Sequence, residues 1–265
     1  MFQLRQILFP VDFSIRCRGA AAYVQALAGR FDAELILLNV VEATYNSTLA
    51  DLHEARMEKF DSFFDKSLRH LRVRKLVAHG EAAQKIIECA SVNHADLIMI
   101  PTQGMGIYRR LILGSTSAKV LHDADCPVWT GVHLEKAPPL EAVTCQRILC
   151  AVDLKPASAR VLDWACHLAD EYQAELTLVH VAGSDSQAAR SQAKGALEHL
   201  QQAAACRAAI RVEAGDVSAV VAHLAGELKA DLLVIGRKPA AGVLGRLEMI
   251  AYSIIRQSPC PVVSV

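Results

Sequence analysis

No apolar run in the 265 residues approaches the roughly 18 needed to cross a membrane, and neither charge is in surplus, with 28 Lys and Arg against 28 Asp and Glu. Residues 1–134 hold 15 basic and 14 acidic side chains, and residues 135–265 hold 13 and 14. Neither half has the basic excess of a general nucleic-acid binder. The eight cysteines include no Cys-x-x-Cys pair and the ten histidines no His-x-x-x-His, which removes the common zinc spacings. No Gly-x-Ser-x-Gly elbow or Ser/His/Asp order marks a nucleophile. The lysine of a P-loop is missing too, since Lys119 follows Ser115 by four residues instead of preceding it. Gln3-Leu4-Arg5-Gln6-Ile7-Leu8-Phe9 has neither the apolar core nor the small-residue site of a signal peptide. The cysteines lie mostly in apolar surroundings, so the expectation is buried, reduced thiols in a soluble cytoplasmic protein.

What the chain does have is a repeat. Ile7-Leu8-Phe9-Pro10-Val11-Asp12 returns 141 residues later as Ile148-Leu149-Cys150-Ala151-Val152-Asp153. Ala33-Glu34-Leu35 returns at the same offset as Ala174-Glu175-Leu176. Gly80-Glu81 and Ala95-Asp96-Leu97 match Gly215-Asp216 and Ala230-Asp231-Leu232 at offset 135, and Cys126-Pro127-Val128 matches Cys260-Pro261-Val262 at offset 134. Four landmarks in one order make this a tandem duplication. Its expected division is 1–134 and 146–265, with a linker at 135–145 stiffened by Pro138-Pro139.

Each copy alternates strand and helix. The runs Ile7–Val11, Leu35–Val41, Leu97–Ile100 and Val128–Val132 are short and lack period-two polarity, as strands covered on both faces do. Between them, helical spacing of apolar residues predicts helices over Ala20–Arg30, Leu49–Leu71, Ala82–Asn93 and Ser115–His122, with a counterpart at Ala188–Ala209 in the second copy. Five strands alternating with four helices give an α/β fold, a doubly wound and mostly parallel sheet in each copy. The stripe Phe60, Phe63 and Phe64 reads as core. The basic run Arg69-His70-Leu71-Arg72-Val73-Arg74-Lys75 reads as a solvated helix end.

In such sheets ligands bind beyond the carboxyl ends of the strands, where the strand order reverses. Two loops of the first copy qualify. One offers Pro10, Val11, Asp12 and Ser14; the other runs from Pro101 through Gly104 and Gly106 to Gly114-Ser115-Thr116-Ser117. Glycines let a backbone turn with positive φ and approach a ligand closely. Hydroxyls and N–H groups at a helix start favour anions. Helix capping by Ser115 and simple turns explain the same composition, so the loop alone leaves both readings open.

Together these residues resemble the universal stress protein family in a tandem arrangement. Its ATP-binding members carry Gly-x-x-Gly, nine residues, then Gly-Ser or Gly-Thr; here Gly104, nine residues and Gly114-Ser115 fit the later part. Phe9-Pro10-Val11-Asp12, Gly80 and Cys126-Pro127-Val128 fit other family features. The resemblance implies two Rossmann-like domains akin to the adenine nucleotide α-hydrolase group, each with a five-stranded sheet in the order 3-2-1-4-5. It further implies ATP in the first domain, with Pro10, Val11, Asp12 and Val40 at the nucleoside. Gly104, Gly114, Ser115, Thr116 and Ser117 would then hold the phosphates, with Mg2+ or Mn2+ among them. Pro101 departs from the pattern, standing where its first glycine belongs and offering no N–H.

In the second copy Glu248, Met249 and Ala251 replace Gly114, Ser115 and Ser117, so the expectation is a degenerate motif that has lost the phosphate cradle. The family resemblance also implies pairing of the two domains through their last strands as an intramolecular pseudo-dimer, with a homodimer of the whole chain as a further step. The reading is therefore an ATP-binding stress-response protein, not an enzyme beyond slow ATP hydrolysis. Its rival is a nucleotide-free structural or partner-binding module.

Overall fold

The computed structural model describes residues 3–41, 49–64, 68, 70–101, 113–131, 138–237 and 249–265. These form two compact units that change over between Val143 and Thr144. The first contains β1 (Gln6–Pro10), α1 (Ile15–Phe31), β2 (Glu34–Val41), α2 (Leu49–Phe63), β3 (Val73–His79), α3 (Ala82–Val92), β4 (Leu97–Pro101), α4 (Ser115–Asp123) and β5 (Val128–Gly131). A short 3-10 turn at Leu140–Ala142 closes it. The second contains β6 (Arg147–Ala151), α5 (Ser158–Tyr172), β7 (Glu175–Ala182), α6 (Gln187–Ala203), β8 (Ala209–Ala214), α7 (Val217–Glu227), β9 (Leu232–Ile235), α8 (Met249–Gln257) and β10 (Val262–Ser264).

All strand pairs within the first unit are parallel, and their order is β3-β2-β1-β4-β5. The second unit repeats it as β8-β7-β6-β9-β10. Register repeats as well: Ile7 lies opposite Leu35, as Ile148 lies opposite Leu176. The expected doubly wound α/β fold is the observed one. Ile7, Leu8, Phe9 and Leu35 to Leu38 are at most 1% exposed, the double coverage that their unbroken apolar runs announced. The edge strands β3 and β8 are only half-buried and carry Arg74, Lys75, Arg211 and Glu213, charges that discourage pairing with a further strand.

The duplication extends to individual turns. Asp96 Oδ2 accepts the N–H groups of Arg5 and Gln6 at 2.7 and 2.9 Å, pinning the start of β4 to that of β1. Asp231 Oδ2 does the same for Gln146 and Arg147 at 2.8 and 3.0 Å. Gly80 and Gly215 share φ near +130° (133° and 131°), a region closed to other residues, just before the acids that cap α3 and α7. Phe13 and Leu154, each directly after the acid that follows the first strand, both sit at φ 59°.

Several expectations need correction. Helix α1 starts at Ile15, five residues before the apolar face suggested, because Ser14 caps it by accepting the Cys17 N–H at 3.4 Å. Helix α2 ends at Phe63 instead of reaching Leu71. Among the described residues of the basic run, the charges pair across the fold and do not sit at a helix end: Arg72 with Asp32 at 3.2 Å, Arg74 with Glu34 at 3.4 Å, and Lys75 with Asp61. Phe60, Phe63 and Phe64 are buried, as expected. The eight cysteines are not all thiols: Cys166 of α5 is joined to Cys206, beyond α6, in a disulfide.

Candidate functional site

Strand order reverses between β1 and β4, and a cleft of about 140 Å3 opens there in the first unit. Its floor is apolar, formed by Val11, Leu38, Val40, Ile86 and Ile100. Asp12, and Thr116 and Ser117 of α4, border it as well.

The chain builds the Asp12 side by a forced turn. Phe13 takes a left-handed backbone, which costs a bulky residue on the order of 1–3 kcal/mol. Its ring packs against Phe60 and Phe63 at 5.2 and 5.4 Å between centroids, and those contacts offset the strain. The turn brings the Ser14 N–H to Asp12 Oδ1 at 2.9 Å and the Cys17 thiol to the same oxygen at 2.9 Å. Partial burial pushes the Asp12 carboxyl up, but the hydrogen bonds from Cys17 and Ser14 outweigh it and hold the group below 3.8. Asp12 is therefore an anion at neutral pH. Burial, then the Asp12 charge, push the Cys17 thiol up to about 12, so it acts as a donor and not as a nucleophile. Beneath the turn the Asn39 amide donates to the Val11 carbonyl at 2.6 Å, tying β1 to β2.

The α4 side presents hydroxyls. Ser117 is buried and donates to the Pro101 carbonyl at 3.3 Å, which fixes the helix start against the end of β4. Gly114 precedes α4 with φ −61° and ψ 149°, an extended conformation open to any residue. Positive φ is thus not the reason for glycine at that position. Lys119, one turn into α4, pairs with Glu81 at 2.9 Å, while Glu81 caps α3 through the N–H groups of Ala83 and Gln84.

Of the residues named from sequence, Pro10, Val11, Asp12, Val40, Thr116 and Ser117 border this one cleft. Gly114 and Ser115 lead into the same helix without lining the described part of the cleft. Gly104 lies outside the described residues. Sequence reading missed Arg16 and Cys17, which also border it. Among the described residues, no group of three or more His, Cys, Asp or Glu is placed to hold a metal ion, and no helix is long and apolar enough to cross a membrane.

The second unit has a cleft at the equivalent place, bordered by Asp153, Lys155, His180, Gly236 and Arg237 over a valine and isoleucine floor. Ile250 and Ala251 occupy the helix positions of Thr116 and Ser117. Glu248 lies outside the described residues.

Comparison with known proteins gives one consistent result. The model of the universal stress protein family matches residues 3–130 and again 144–265. A universal stress protein from Thermus aquaticus is 30% identical over 131 residues, covering 47% of this chain and 96% of its own length. One from Synechocystis is 30% identical over 139 residues, 48% of this chain and 85% of its own. Among solved structures, a universal stress protein from Archaeoglobus fulgidus superposes with a TM-score of 0.82 at 22% identity, covering 99% of this chain and 98% of that one.

Proposed function

We propose that this chain, which belongs to the universal stress protein family, is an ATP-binding regulatory protein whose first domain holds the nucleotide. The carrying observation is a single cleft bordered by an ionised Asp12, by the hydroxyl-bearing start of α4 and by an apolar floor. A base can lie on Val11, Leu38 and Val40. The Asp12 carboxylate accepts sugar hydroxyls. Thr116 donates to phosphate at a helix N-terminus, where the macrodipole favours an anion, while the Ser117 hydroxyl holds the helix start to the Pro101 carbonyl. A divalent cation would ride mainly on the phosphates, as Mg2+ commonly does. Asp12 is the one carboxylate bordering the described cleft.

The reading is of binding and not turnover. Asp12 is committed to Ser14 and Cys17, the thiol stays protonated, and Lys119 is paired with Glu81. No described group in the cleft is arranged as a general base for water. Occupancy would change the surface offered to a partner.

Pro101 and Arg16 support the rival, a nucleotide-free module, because both take up room at the cleft. Calorimetric titration of the whole chain with ATP and Mg2+ decides between them. The expected result is one site per chain, abolished by Gly114→Glu, which copies Glu248. No heat of binding to the wild type would establish the rival.

A further inference from the structure

The cleft of the second domain is larger than its counterpart, about 220 Å3 against about 140 Å3. Two exchanges at its border replace larger residues by smaller ones: Ala157 stands in the position of Arg16, and Gly236 in that of Pro101. The floor is conserved in kind, since Val152, Val179 and Val181 take the places of Val11, Leu38 and Val40. The helix end is not. A phosphate seated against Ile250 and Ala251 would lose water and meet methyl groups in its place.

The polar groups are rebuilt as well. Asp153 Oδ1 accepts the Lys155 N–H and the Ser158 hydroxyl, both at 3.0 Å, and its Oδ2 lies 3.1 Å from the Lys155 ammonium. The acid and the lysine at this edge neutralise each other. His180, at the register of Asn39, borders the cleft with Nδ1 2.9 Å from the Val152 carbonyl oxygen. A carbonyl only accepts, so Nδ1 carries the hydrogen, and in the neutral ring Nε2 is an acceptor. Arg237 also borders the cleft, but with Ile250 and Ala251 at the helix start no described hydroxyl accompanies it there. An apolar floor, a self-neutralised acid and an acceptor nitrogen are the complement of a ring that brings its own hydrogen-bond donor. At about 220 Å3 the space is below the roughly 300–1,000 Å3 of drug-sized sites.

We propose that the second domain's cleft binds a small, uncharged, phosphate-free ring compound, with a hydroxyl or N–H of the ligand donated to His180 Nε2. The proposal is independent of ATP binding in the first domain, because no residue is shared between the two clefts.

The test is NMR titration of the full chain with two uncharged, donor-bearing probes, adenosine and 4-hydroxybenzyl alcohol, and separately with ATP and Mg2+. At least one probe is expected to shift the amide signals of Val152, Val181 and Gly236 in the wild type, and ATP is not. Ala157→Arg, an exposed position that restores the first cleft's arginine, and His180→Phe are each expected to weaken that probe by roughly tenfold. Thr116→Ile with Ser117→Ala, in the first cleft, should leave these shifts unchanged. The proposal fails if neither probe moves the three signals, if both second-cleft variants bind as the wild type does, or if ATP binds there as tightly as the probes. Loss of ATP binding at the first cleft, with probe binding retained at the second, would overturn only the reading of the first domain.

Discussion

The two domains are built on the same pins and turns and differ where a ligand would touch them. Asp96 and Asp231 tie equivalent strands, Gly80 and Gly215 make equivalent turns, and Phe13 and Leu154 share a left-handed backbone. Around the clefts, by contrast, Arg16 faces Ala157, Cys17 faces Ser158, Asn39 faces His180 and Thr116 faces Ile250 in the comparison. What must be repeated for folding is the set of backbone constraints. The side chains that border the clefts are free to diverge where the backbone contacts beneath them are kept, as His180 keeps toward the Val152 carbonyl the bond that Asn39 makes to Val11.

The largest expected contrast is in stability. The disulfide Cys166–Cys206 belongs to the second domain alone, where Gln25 stands at the position of Cys166 in the first. With a sequence separation of 40 residues, its removal should cost that domain about 4 kcal/mol through the entropy of the unfolded chain. Hydrogen exchange on oxidised and reduced protein should show faster exchange in β6, β7 and α5, with β1, β2 and α1 unchanged. Equal acceleration in both domains would mean that the cross-link is not local in effect.

Next comes the ligand contrast itself. Thr116→Ile with Ser117→Ala gives the first domain the described helix end of the second. The Thr116 hydrogen bond to a charged phosphate would be lost, and with it the Ser117 tie that positions the helix start, about 1.5–3 kcal/mol or roughly 10- to 150-fold in ATP affinity. Calorimetry on a variant with an unchanged melting temperature reads this directly. Unaltered affinity would place the phosphates elsewhere.

This contrast was only partly legible in the sequence. The fold followed from the repeat, because four landmarks at nearly constant offsets specify strand order and turn position together. Pro10, Val11, Asp12, Val40, Thr116 and Ser117 were legible because they belong to a motif, and the structure brings them to one cleft. Arg16 and Cys17 were not, because they lie in the first turn of a helix whose apolar pattern begins five residues later. Nothing in the spacing of Cys166 and Cys206 signals a bridge, since their approach depends on how α5 packs beside the end of α6. Gly114 resembled a residue needed for positive φ, yet its backbone is extended; composition reports that a residue is small, not why.

A smaller and symmetric effect concerns the shared turns. Gly80→Ala and Gly215→Ala each force a side chain into a left-handed turn, with the new Cβ at 3.1 Å from Lys85 Cε or 3.3 Å from Val220 Cγ2. Each should cost its own domain about 1–3 kcal/mol. Urea denaturation of the pair should give similar losses. The Gly80 change should be the milder at the side chain, because Lys85 can swing away and the branched Val220 cannot.

The smallest contrast is electrostatic and separates two acids in equivalent places. Burial pushes the Asp12 and Asp153 carboxyls up, and in each case hydrogen bonds more than reverse this and hold the group below 3.8. A depressed carboxyl stabilises the fold above its unfolded value, and that stability is lost as pH falls through the folded value. Both domains should therefore weaken only below about pH 3.8 on this account, and Asp12→Asn or Asp153→Asn should flatten the acid limb of its own domain. The origin of the depression differs. Asp12 is held by neutral donors, Cys17 and Ser14, whereas Asp153 owes part of its shift to the Lys155 ammonium, in a pair whose two side chains are about half exposed. Salt screens an exposed ion pair and leaves a neutral hydrogen bond nearly untouched. Carboxyl carbon titrations by NMR in low and in molar salt should therefore move Asp153 back toward 3.8 and leave Asp12 in place, whereas equal movement of both would show that a charge, and not the turn at Phe13, holds Asp12 ionised.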